Sequence, residues 1–149
     1  QIYLESHLDK EFHSKIPLLM SLSNDMPLQA VVVSQSEWFK KRHDFLADWQ
    51  KVVMQKSMPM QHATKWNKEL AFADLITLFE YLLSDIICVK LNQNVKNSDL
   101  DFEQISQQYS LEQLFDLNSD IQTFKQLVEQ NVQSNLVVDQ LFIKLMNIA

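Results

Sequence analysis

SLEQLFDLNSDIQTFKQLVEQNVQSNLVVDQLFIKLMNIA, residues 110–149, decides the fold. Ser110 and Gln113 form a capping-box pattern, in which a hydroxyl and an amide reciprocally satisfy the first free N–H groups of a helix. After it Leu114, Leu117, Ile121, Phe124 and Val128 recur at spacings of three and four, a heptad-like helical seam over residues 111–130. An asparagine-containing break follows. Between Leu136 and Ile148 only Asp139, Gln140, Lys144 and Asn147 are polar. An ordinary surface helix carries a narrower apolar stripe. This last helix must therefore be covered on a second side, by its own domain or by another chain. Leu136, Leu141, Phe142, Leu145 and Ile148 are the candidate subunit-interface residues.

Working outward, the whole chain is glycine-free, where an average chain has about 7% glycine. Glycine supplies the positive φ angles of tight hairpin turns, so sheets are hard to build from this composition. Asn and Asp can take its place at helix C-caps. The expected fold is all-α, with about three-quarters of the residues helical. The absence of glycine also removes every glycine-rich phosphate loop and dinucleotide fingerprint.

Helical signals recur upstream. A first helix is expected over residues 13–23 with Pro17 in its first turn, and Pro27 opens a second. Ser34 and Glu37 form a capping-box pattern for a helix over residues 35–55, where Trp38, Phe45, Trp49 and Val52 recur at helical spacing. Pro59 opens a short helix. Residues 70–91, LAFADLITLFEYLLSDIICVKL, are the longest apolar element, with Asp74, Thr77, Glu80 and Ser84 on one narrow stripe. Asp74, Glu80 and Asp85 would each cost about 2.5–3.5 kcal/mol at a bilayer centre, which favours an enclosed core helix over a membrane span. The polar stretch NQNVKNSD, residues 92–99, is expected to be a flexible loop. Asp101 and Gln104 then cap a short helix containing Ile105.

Net charge is −6, unevenly distributed. Residues 1–91 hold 10 Lys+Arg against 11 Asp+Glu, and residues 92–149 hold 3 against 8. The acidic half is a poor candidate for gripping nucleic acid. Lys40, Lys41 and Arg42 beside Trp38 offer one local attraction for phosphate, more simply read as a solvated surface. His7, His13, His43 and His62 never form the i, i+4 pair of a helical zinc site, and the single Cys88 excludes an internal disulfide. Cys88 lies in an apolar run and reads as a buried inert thiol that fits a reducing, cytoplasmic compartment. Asp99 and Asp101 lack the glycine and glutamate positions of an EF-hand loop. Trp38, Trp49 and Trp66 read as core or interface anchors. No catalytic, cofactor-binding or metal-ligating set emerges. No signal-peptide pattern opens the chain, and the missing initiator methionine points to a piece of a longer protein.

Three stretches resemble the C-terminal part of the delta-prime subunit of the bacterial DNA polymerase III clamp loader. Tyr3-Leu4, a leucine-rich helix and Asn24-Asp-Met-Pro-Leu-Gln-Ala30 are similar to the end of its lid domain, where the family has a Gly-x-Pro-x-x-Ala turn. Trp66 followed by LITLFEYLLSDIICVKLNQN resembles the long leucine-rich helix that opens its collar domain, and residues 110–149 resemble the two closing helices. The resemblance implies a lid remnant over residues 1–34 and a helical collar domain over residues 35–149. It implies assembly with the delta and tau/gamma subunits of a DNA-directed DNA polymerase holoenzyme (a nucleotidyltransferase), with DNA met only by the whole complex and no membrane. Aligning on Ala30 places Leu28 where ATP-binding relatives carry a phosphate-contacting arginine, so no ATP binding is implied. The chain departs from the pattern at Asp25, which stands at the glycine position. The rival reading is a free-standing helical adaptor or regulatory bundle that mediates protein–protein contacts.

Overall fold

The computed structural model describes Leu8, residues 10–54 and residues 58–146. The structure is 77% helical, with no strand among the described residues. A 3₁₀ segment, Lys10–Lys15, leads into α1 (Ile16–Leu22), with Pro17 in its first turn. Then come α2 (Pro27–Gln35), α3 (Glu37–Lys40), α4 (Arg42–Met54), α5 (Pro59–Glu69), α6 (Phe72–Lys90), α7 (Glu103–Ser106), α8 (Leu111–Glu129) and α9 (Ser134–Met146).

Three of the helix ends, in a chain without glycine, are made by asparagine. Asn24, Asn92 and Asn131 have φ of 54°, 57° and 69°, each just past the end of a helix. The backbone bonds are those of a Schellman motif in all three places. After α6, Gln93 N donates to Cys88 O at 2.8 Å and Asn92 N to Val89 O at 3.2 Å. After α8, Val132 N donates to Leu127 O and Asn131 N to Val128 O, both at 3.0 Å. After α1, Asp25 N donates to Met20 O at 2.8 Å. Asp25 itself is left-handed, with φ of 61°. The consecutive left-handed residues swing the axis by 103° between α1 and α2.

Two expected elements differ. The helix expected over residues 35–55 is broken at Lys41 into α3 and α4. Arg42 turns inward there: its Nε donates to Phe39 O at 3.0 Å and its guanidinium lies 4.4 Å from the centre of the Phe39 ring. The Ser34–Glu37 capping box is absent. Ser34 belongs to α2, whose apolar Val31–Val33 run carries the helix on to Gln35, and its hydroxyl donates to Val31 O. The Ser110–Gln113 box is present in both directions, at 2.8 and 3.1 Å.

One continuous core extends from Leu8 to Leu145, and residues on either side of position 34 share it. Leu19, Leu22, Ala30 and Val33 from α1 and α2 join Trp38, Phe45, Trp49, Trp66 and Phe79. Aromatic rings form its centre: Trp49 stacks on Phe79 at 4.6 Å, and Phe45 meets Trp66, Phe79 and Phe142 edge-on. The seam of α8 buries Leu114, Leu117, Ile121 and Phe124, and α6 lies against both α3 and α8. No single helix among the described residues is long and apolar enough to cross a membrane.

Candidate functional site

The terminal pair α8–α9 was singled out by its sequence, and α9 turns out to be threaded through the bundle. It packs against α4, α5, α6 and α8. That explains its broad apolar surface, because a helix with neighbours on several sides needs apolar side chains on several sides. Leu141, Phe142 and Leu145 are completely buried, and Val137 and Val138 nearly so. These three expected interface residues are therefore core residues: their neighbours are α9's own bundle. Of the four that are described, Leu136 alone stands outward, 52% exposed; Ile148 lies outside the described residues.

Leu136, Gln140 and Ile143 share one face of α9 by their spacing of four and three. A cleft between the two helices is lined by Gln113, Asp116, Leu117 and Asp120 of α8 and by Gln140, Ile143 and Lys144 of α9. Lys144 Nζ stands 4.0 Å from Asp120 Oδ2 across it. Exposed Val132 in the α8–α9 turn and exposed Phe115 on α8 add apolar surface to the pair. A second apolar face lies at α2, where Leu28 and Val32, and Met26 just before its first turn, are exposed. Its signal was visible as MPLQAVVVSQS, residues 26–36, a run without one charge.

The buried polar groups work as internal fastenings. Asp85, on the inward side of α6, accepts from Lys96 N and Asn97 N at 2.8 Å and from Asn97 Nδ2 at 2.6 Å. Arg42 donates to Asn97 Oδ1 at 3.0 Å and forks onto Asp99 at 2.8 and 2.9 Å. Ser21 Oγ donates to Lys96 O at 3.1 Å. The stretch expected to be a flexible loop is thus tied to α1, α4 and α6, with Asn97 completely buried. Polar composition suggested freedom because the partners lie 11 to 75 residues away. Arg42, spent on this network and 2% exposed, is withdrawn from the basic run, which leaves Lys40 and Lys41.

A second fastening joins α4 to α5. Asp48 Oδ2 accepts from Lys65 Nζ at 2.8 Å and from Trp66 Nε1 at 2.9 Å, with His62 Nδ1 at 3.6 Å. Burial pushes the Asp48 carboxyl up, but the Lys65 and Trp66 hydrogen bonds and the nearby positive charge outweigh it and hold the pKa below its ordinary value. Asp99 is lowered in the same way, burial being outweighed by Arg42. A third fastening runs through Tyr109, whose hydroxyl accepts from Trp49 Nε1 at 2.8 Å and donates to Leu145 O at 3.0 Å. Burial pushes that phenol up, so it stays protonated.

The other candidates are scattered. His43 is exposed beside Asp99, at 3.3 Å, and His62 lies at the Asp48 node. His7 lies outside the described residues. Burial, then the Asp85 charge, pushes the half-buried Cys88 thiol up, the opposite of what nucleophilic activation needs. Asp101 accepts from Glu103 N at 2.9 Å at the start of α7. Among the described residues no group of three or more His, Cys, Asp or Glu is placed to hold a metal ion.

The arrangement defines an all-α bundle closed by a helical pair. Comparison with protein-family models, curated proteins and solved structures gave no match.

Proposed function

We propose that this chain is an assembly domain of a clamp-loader subunit of the delta-prime type, a lid remnant followed by a collar domain. The observation that carries the reading is the turn before α2. The family pattern has glycine where this chain has Asp25, and Asp25 adopts the left-handed backbone, φ 61°, that glycine favours. Pro27 then occupies the first turn of α2 and Ala30 is completely buried, which fits a turn followed by a helix packed through its small residue. In this reading Asp25 supplies the backbone conformation that the pattern's glycine would.

In this reading the collar contact is made by the outward side of the α8–α9 pair, around Leu136, Gln140 and Ile143 and the turn at Val132. Its partners are the delta and tau/gamma subunits, and DNA is engaged by the complex as a whole. Leu28, at the position of the phosphate-contacting arginine, is 70% exposed and cannot pair with phosphate, so the chain does not bind ATP.

The test is co-purification of Leu136→Lys and Gln140→Glu variants with delta and tau/gamma subunits. Both positions are exposed, so the variants should fold with unchanged circular dichroism and melting, yet lose the other subunits. Folded variants that still join the complex normally would overturn this placement of the interface. Failure of the unaltered chain to join would overturn the clamp-loader reading itself and leave the adaptor reading.

A further inference from the structure

We draw no further inference here: the strongest candidate, the exposed apolar face of α2 around Met26, Leu28 and Val32, carries nothing because nothing in the structure shows what covers it.

Discussion

A left-handed backbone costs an ordinary L-residue about 1–2 kcal/mol, and asparagine and aspartate reduce that cost without abolishing it. Asn131 should therefore tolerate glycine with equal or greater stability, whereas Asn131→Ala should lose about 1 kcal/mol, read as a lower urea midpoint at unchanged slope. Equal midpoints for the two variants would contradict the cap. Asp48 and Asp99 add a pH dependence whose sign is fixed. Both have folded pKa values below the ordinary 3.8, so their stabilisation is present above about pH 4 and is lost as pH falls through the lowered values. Unfolding followed from pH 7 downward should show stability falling below about pH 4. Asp48→Asn should be less stable at pH 7 and show a shallower acid fall. A variant with the same acid profile as the parent chain would remove Asp48 from the account. The sequence did not reveal these pairs: Asp48 inside DFLADW shows as a polar residue in an apolar run and Asp99 inside KNSDLD as one of a polar stretch, and neither identifies its partner.

At the scale of the element, the helices were legible where their signals lie within one short stretch of chain. The α8 seam and its capping box are local features, complete within twenty residues, and were legible as such. The α6 core helix was legible for the same reason. Legibility failed where tertiary partners decide. Arg42 broke a periodic run at Lys41 by turning inward, and Asp85 and Arg42 fastened a polar loop that composition alone leaves free. It failed too for α9, where a broad apolar surface reads equally as a helix facing another chain or as one wrapped by its own bundle. Phe142 and Leu136 separate those meanings. Phe142→Ala, from a completely buried site, should cost about 3–5 kcal/mol. Leu136→Ala, half-exposed, should stay within about 0.5 kcal/mol. Chemical denaturation of the two variants measures both, and similar losses would mean that Leu136 is also covered within the monomer.

At the scale of the whole molecule, the described residues share a single helical core, with three buried polar nodes among them at its seams and exposed apolar side chains at α2 and along the α8–α9 pair. Burying one leucine or phenylalanine contributes about 1.5–3 kcal/mol, so two or three such contacts across an interface change affinity by orders of magnitude. The acidic balance of residues 92–149 makes tight binding of the isolated chain to duplex DNA at physiological salt unexpected. A fluorescence-anisotropy titration with primed DNA should show only weak, salt-sensitive binding. The central claim, that this bundle is a collar-type assembly domain, is tested most directly by native mass spectrometry of the chain mixed with delta and tau/gamma subunits. The expected result is one mass containing the chain together with those subunits, lost on Leu136→Lys. A spectrum with the chain only as a free species, beside an assembled complex that lacks it, would contradict the claim.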